Sequence, residues 1–170
     1  MLFLNWLQSL VKALNSDGTP GQVAAGIALG AALGLTPIAN VHNVVIVLVA
    51  LVLNVSLAGF SLGWTVFVPA GFLLDPVFDA IGRALLGAPG LTGFWTTLAN
   101  LPLVPYTNFN NTIVLGSLVF WVVAWLPIWF AARWAIVKYR ATLYQRLETT
   151  RFFKAVKASS LARVYAWFQA

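Results

Sequence analysis

A long apolar run fills the first half of the chain, and its main polar interruption is one short segment that recurs later. Residues 37–43 read Pro-Ile-Ala-Asn-Val-His-Asn, and residues 105–111 read Pro-Tyr-Thr-Asn-Phe-Asn-Asn. In a membrane, proline ends an incoming helix, while Asn and His side chains satisfy the backbone groups that the break leaves unpaired. We therefore interpret these segments, called the first and second elbows, as one internal repeat. Two similar turns outside the membrane are the alternative.

The composition places the elbows in a membrane protein. The 170 residues are 61% hydrophobic and only 8% charged, which a soluble domain of this size does not accommodate. Apolar runs of about 17 to 25 residues cross a bilayer core of about 30 Å. The chain contains no cysteine, so disulfide and thiolate chemistry are excluded. The sequence predicts an all-α polytopic integral membrane protein with short or re-entrant helices.

The apolar runs predict three regions: an interfacial amphipathic helix, a transmembrane domain with both elbows, and a basic amphipathic cytoplasmic tail. These regions span residues 1–18, 19–140 and 141–170. Crossings are expected near residues 21–36, 41–57, 59–74 and 112–134, with short helices at 76–86 and 94–104 re-entering from the outer side. The first crossing is short, and half of a re-entrant hairpin is its alternative. Thr19 before Pro20 predicts a helix cap.

The charge distribution predicts the orientation. Eight of the ten Lys and Arg residues lie from Arg133 onward, which places the C-terminus in the cytoplasm. The N-terminus is expected on the same side, so the protein is a multi-pass protein of the bacterial inner membrane. The tail is expected to bind lipid headgroups rather than nucleic acid, because its basic residues accompany a continuous apolar face. The expected headgroup ligands are Arg151, Lys154, Lys157 and Arg163.

Glycines at helical spacing predict close helix packing. Gly26, Gly30 and Gly34 share one helix face, which lets a neighbouring helix approach the backbone. Gly59 and Gly63 repeat this spacing. We expect these five glycines to form a helix-packing or partner-binding surface.

The few ionisable residues argue against an enzyme. His42 is the only histidine and there are four acids, too few to assemble a protein metal site. Asp75 is expected to cap a helix that begins at Pro76, with Asp79 in its first turns; a paired-carboxylate site for proton transfer is the alternative. We expect no catalytic residue and no cofactor. His42 is expected to be a hydrogen-bonding member of an elbow polar network, with a proton role as the alternative. The predicted network comprises Pro37, Asn40, His42, Asn43, Pro105, Asn108, Asn110 and Asn111.

The pattern Gly26-x-x-x-Gly30-x-x-x-Gly34-x-x-Pro37, followed by an apolar run closed by Asn54, resembles a family of small bacterial inner-membrane proteins. This family is known only as a domain of unknown function, and the resemblance covers residues 21–140. It is strongest to a rare subgroup from bacteria with outer membranes, whose genes form a pair with a gene for a larger envelope protein. Family members usually carry a Pro-x-Pro-Gly element where this chain has Thr36-Pro37-Ile38-Ala39-Asn40.

These features predict a non-catalytic inner-membrane subunit that docks a larger envelope protein. The process expected for such a subunit is transport of lipid or another hydrophobic molecule between membranes. The alternative is a stand-alone small transporter or lipid scramblase that uses helices broken at the elbows. Phospholipids are expected partners, and nucleic acid is not.

Overall fold

The computed structural model describes residues 18–37 and 40–143, and every regular element in these ranges is helical. The described α-helices are α1 (Pro20–Leu35), α2 (Val41–Val52), α3 (Leu57–Leu86), α4 (Thr92–Ala99) and α5 (Thr112–Lys138). Two 3-10 turns, Pro89–Leu91 and Val104–Thr107, flank α4, and a π-helical turn, Tyr139–Leu143, follows α5. The all-α fold class is confirmed. Residues 1–17 of the predicted interfacial helix and the tail beyond residue 143 lie outside the described ranges.

Helix α1 begins where the sequence predicts. The Oγ1 atom of Thr19 accepts a hydrogen bond from the backbone N–H of Gln22 (3.3 Å), and Gln22 Oε1 accepts one from the Thr19 N–H (2.8 Å). Pro20 occupies the first turn, where its missing N–H is harmless. The helix ends at Thr36, whose backbone is extended, as expected for a residue that precedes proline.

Helices α1 and α3 run parallel and touch backbone to backbone through glycines. A Cβ atom added at Gly26 would collide with the carbonyl oxygen of Ser56, and one at Gly30 with that of Phe60. Later glycines of α1 thus contact later residues of α3, as in a parallel pair of helices. Gly59 and Gly63 lie equally close to backbone atoms of α1. Helix α1 is buried along most of its length because α3 and α5 both cover it.

Helix α5 runs antiparallel to α1 and is pinned to it by tryptophan side chains. The indole N–H of Trp121 donates to the carbonyl of Ala28 (2.8 Å), and that of Trp129 donates to the carbonyl of Gly21 (3.2 Å). Later residues of α5 thus contact earlier residues of α1. Farther along, Arg140 donates to the carbonyl of Gly18 (3.0 Å).

A second close crossing joins α3 to the start of α5. A Cβ atom at Gly116 would collide with the carbonyl of Phe78, and one at Gly82 would collide with the carbonyl of Thr112. The sequence analysis missed both glycines, because neither has another glycine four residues away on its own helix. Phe78 is fully buried at this crossing and contacts the ring of Phe120.

The predicted crossing over residues 41–57 is not one continuous helix, because α2 ends at Val52. The chain then turns, and the Ser56 N–H donates to the carbonyl of Gln22 (3.1 Å) near the beginning of α1. This turn lets α3 start beside the first turns of α1. The Ser56 side chain caps α3 by accepting from the N–H of Gly59 (3.1 Å).

The predicted break at Asp75 is also wrong. Residues 59–74 and 76–86 belong to one helix, which contains Pro69 and Pro76 in its interior. Asp75 therefore lies inside α3 and caps nothing. Each proline removes one backbone hydrogen bond, a loss that packing of the flanking turns against neighbouring helices offsets. The predicted segment 94–104 is likewise replaced by α4 and the Val104–Thr107 turn.

Helix length divides the described elements into two groups. Leu57–Leu86 and Thr112–Thr142 are long and apolar enough to cross a membrane. Helices α1 and α2 are also apolar but have only 16 and 12 residues. At 1.5 Å per residue they are about 24 Å and about 18 Å long, which is shorter than a bilayer core of about 30 Å.

Candidate functional site at the elbows

The two elbows lie against each other. The side-chain amide of Asn108 donates a hydrogen bond of 2.6 Å to the Oδ1 atom of Asn40. Each of these residues is the first asparagine of its elbow, so the structure brings corresponding positions of the two segments together. The first elbow joins α1 to α2, and the second precedes α5. Their contact is therefore a link between the first and last helical segments of the described fold.

A compact polar network fills the first elbow. The Thr36 hydroxyl lies 2.8 Å from both the carbonyl of Ala32 and the Oδ1 atom of Asn43. The carbonyl of Pro37 accepts from the side-chain amides of Asn40 (2.8 Å) and Asn43 (2.7 Å). Thr36, Asn40 and Asn43 are all buried. The network pairs backbone and side-chain groups that would otherwise lose their hydrogen bonds at the helix break.

Thr36 is a member of this network that the sequence analysis missed. It sits directly before Pro37, where α1 must end, and its hydroxyl bonds back to the last turn of the helix. A hydroxyl residue immediately before the proline that ends an apolar helix was the available signal, since such side chains satisfy freed backbone groups.

The second elbow has a different internal structure. Asn111 caps α5, its Oδ1 atom accepting from the N–H groups of Ile113 (3.0 Å) and Val114 (3.2 Å). The corresponding residue of the first elbow, Asn43, lies within the first turn of α2 instead. The backbone of Asn108 is left-handed (φ 55°), whereas that of Asn40 is extended (φ −137°). The similar sequences thus adopt dissimilar turns.

Side chains that satisfy broken backbone in a membrane are expected to be buried, and for the second elbow this expectation is wrong. Asn108, Asn110 and Asn111 are exposed, as is Pro105, whose carbonyl accepts from the Asn108 N–H (3.2 Å). The segment is a surface turn whose polar groups bond to its own backbone and to the start of α5, so it needs no covering helix. The Asn108 side chain reaches the buried network through Asn40.

His42 forms a second connection between the elbows. This partly buried residue, in the first turn of α2, has a hydrogen bond with the backbone of Thr107 in the second elbow. Its Nε2 atom is buried and has no hydrogen-bond partner within the described residues. His42 therefore lies among the hydrogen-bonded elbow residues, and its possible proton role stays a hypothesis.

Asp79 links α3 to the start of α5 beside the elbows. One carboxylate oxygen accepts from the hydroxyl of Thr112 (2.5 Å), and the other pairs with Arg83 one turn away (2.5 Å). Asp79 thus has its own partners rather than forming a site shared with Asp75. Within residues 18–37 and 40–143, no three His, Cys, Asp or Glu side chains converge as metal ligands.

The predicted glycine surface is occupied within this chain. Gly26, Gly30 and Gly34 face α3, and Gly59 and Gly63 face α1. A role for these glycines in binding a separate partner stays a prediction. The predicted headgroup ligands Arg151, Lys154, Lys157 and Arg163 lie outside the described residues.

Comparison with known proteins gives a family but no activity. A family model described as an uncharacterized protein conserved in bacteria (DUF2062) matches residues 5–144. An uncharacterized protein of Treponema pallidum (strain Nichols) is 31% identical over 159 residues, which cover 92% of this chain and 97% of that protein. No solved structure matches the chain. The resemblance to a bacterial family of unknown function is confirmed, and the chain belongs to the DUF2062 family.

Proposed function

We propose that this protein is a non-catalytic subunit of the bacterial inner membrane that docks a larger envelope protein. The process we assign to the complex is movement of lipid or another hydrophobic molecule between membranes. The proposal rests on the exposed surface of α2 and on the position of the elbows in the fold.

Helix α2 is a short apolar helix covered on one side only. Three of its residues, Asn43, Ile46 and Ala50, are buried against the rest of the fold. The remaining surface, called the α2 face, is formed by the exposed side chains of Val41, Val44, Val45, Leu48, Val49, Leu51 and Val52. No charged residue occurs in this helix. The α2 face therefore suits an apolar neighbour in the membrane.

The end of α2 favours protein as that neighbour. The helix is about 18 Å long, so its two ends cannot both reach the surfaces of a bilayer core of about 30 Å. The turn after it, at Leu53 and Asn54, is exposed and irregular. The Ser56 N–H donates to the carbonyl of Gln22 (3.1 Å), so this turn lies beside the beginning of α1. Backbone polar groups of such a turn need partners wherever lipid chains contact it. A partner that packs on the α2 face would also cover this turn.

The orientation follows from the charges. Arg133, Lys138 and Arg140 lie at the end of α5 that contacts the beginning of α1, whereas the elbows lie at the opposite end of α1. By the positive-inside rule we place the basic end in the cytoplasm and the elbows toward the periplasm. This topology puts both chain termini on the cytoplasmic side and exposes the elbows to an envelope partner.

Site-specific photo-crosslinking in native membranes tests the docking surface. A photoreactive amino acid at Leu48, which is 55% exposed on α2, is expected to form an adduct with one larger membrane protein. Val123 is the matched control because it is an apolar side chain on α5 and is 73% exposed. It is expected to react with lipid only. The docking proposal fails when Leu48, Leu51 and Val52 all give lipid adducts and no protein adduct.

The alternative of a stand-alone scramblase has its own supporting observation. The short helices α1 and α2 meet at a polar elbow network, and a bilayer thinned around them would bring headgroups toward that network. Purified protein in liposomes tests this directly with fluorescent phospholipids. Rapid movement of lipid between leaflets by the protein alone favours the alternative, whereas an inactive purified protein favours the subunit.

A further inference from the structure

The described cations concentrate at one end of the fold. Within residues 18–37 and 40–143 there are four cationic side chains, Arg83, Arg133, Lys138 and Arg140, and three of them follow Trp129 in the chain. The acids in the same ranges are Asp75 and Asp79. Asp79 bonds to Thr112 at the opposite end of α5. Neither described acid therefore lies beside Arg133 or Lys138.

Two of these cations are held against tryptophan rings. The guanidinium carbon of Arg133 lies 5.4 Å from the centre of the Trp129 ring, and the ammonium nitrogen of Lys138 lies 4.8 Å from that of Trp134. Both cationic residues are exposed. The Trp129 ring is itself fixed, because its N–H donates to the carbonyl of Gly21. The pairs, called the basic girdle, hold positive charge beside aromatic surface while leaving it accessible.

The arrangement of the girdle indicates the kind of anion it fits. Arg133 and Lys138 are five residues apart, so at 3.6 residues per turn they leave α5 on nearly opposite sides. A pocket for one small soluble anion needs cationic side chains that converge on it, whereas Arg133 and Lys138 point away from each other. A layer of anions that surrounds the helix meets both of them. Tryptophan rings prefer the same depth, where apolar chains end and headgroups begin.

We propose that the basic girdle binds the phosphates of anionic phospholipid headgroups in the leaflet at this end of α5. The site consists of Arg133 and Lys138 with their rings, Trp129 and Trp134. It is separate from the α2 face, so it does not depend on docking of an envelope partner. Anionic lipid holds this end of the helix at a fixed depth.

Titration of the purified protein with phosphatidylglycerol in phosphatidylcholine nanodiscs tests the proposal, with bound anionic lipid counted by mass spectrometry. Each basic residue near an anionic surface contributes about a fivefold gain in binding, so the double variant Arg133→Gln, Lys138→Gln is expected to bind about 25-fold more weakly. Arg83→Gln is the matched control, because Arg83 is an exposed cation on α3, away from the girdle. It is expected to bind like the unaltered protein. High salt is expected to weaken binding by the unaltered protein.

Three results would overturn the proposal. The first is equal phosphatidylglycerol binding by the double variant and the unaltered protein. The second is an equal loss in Arg83→Gln, which would indicate net charge rather than a local site. The third is displacement of the lipid by millimolar inorganic phosphate, which would indicate a phosphate site. The melting temperature in pure phosphatidylcholine verifies folding. A misfolded double variant is replaced by Lys138→Gln, for which an unchanged affinity also overturns the proposal.

Discussion

Replacing Gly30 with alanine tests whether backbone contact between α1 and α3 holds the fold together. A Cβ atom at this position would collide with the carbonyl oxygen of Phe60 and lie 2.8 Å from the backbone nitrogen of Trp64. These obstructing atoms belong to the backbone of α3, so no side-chain rotation relieves the collision. The two helices must separate, and contacts along the whole interface weaken together.

The expected loss follows from two opposing effects. Overpacking typically lowers stability by about 1 to 3 kcal/mol, and the upper value applies because the backbone must shift. Alanine gains about 1 kcal/mol over glycine in helix propensity. The net expectation is a loss of about 2 kcal/mol in the free energy of unfolding. Gly30→Leu adds a larger side chain at the same place and is expected to prevent assembly of the helices.

Denaturant unfolding of the purified protein in detergent measures this loss. Gly93→Ala is the matched control, because Gly93 lies in α4 and a Cβ atom there would meet nothing within 4 Å. It is expected to be neutral or stabilising by up to about 1 kcal/mol. Ile27→Leu conserves volume and is expected to lose less than about 1.5 kcal/mol. The packing argument is refuted when Gly30→Ala unfolds at the same denaturant concentration as the unaltered protein.

Three further predictions concern the elbows and the tail. Asn40→Leu removes the hydrogen bonds to Pro37 and Asn108, so thermal unfolding is expected to show a loss of about 1 to 3 kcal/mol in stability. The control Asn54→Leu, at an exposed position, is expected to change stability very little. Equal losses in the two variants would contradict the network. His42→Gln is expected to be milder than His42→Leu, with no new pH dependence in the melting temperature. A cysteine at Ser159 is expected to react with an impermeant reagent only after the inner membrane is opened, and labelling of intact spheroplasts would reverse the topology.

Local patterns in the sequence predicted the elements that local physics determines. The Thr19-Pro20 start of α1 follows from capping chemistry, and the α1 glycine face follows from helical periodicity. Helix α5 begins at Thr112 as predicted, continues through Pro127 and ends at Lys138, slightly beyond the expected end at residue 134.

Tertiary contacts determined what the sequence analysis missed. Asp75 before Pro76 has the pattern of a helix start, yet α3 continues because its flanking turns pack through Gly71 against α1 and through Gly82 against α5. The Asn40 contact with Asn108 lies between segments whose similarity was visible, but no local pattern shows that they touch. The two elbows also have similar residue types but different backbone conformations, since Asn108 has a left-handed backbone and Asn40 does not.

The proposed function is tested most directly by the native mass of the protein. This mass is measured after extraction from its own membranes in a mild non-ionic detergent. We expect the chain to elute in a fixed ratio with one larger membrane protein, and we expect the photo-adduct at Leu48 to contain that same protein. Purified alone, the chain is expected not to move lipid in liposomes. Extraction of this chain without any partner, together with rapid lipid movement by the pure protein, would contradict the subunit proposal and favour a stand-alone scramblase.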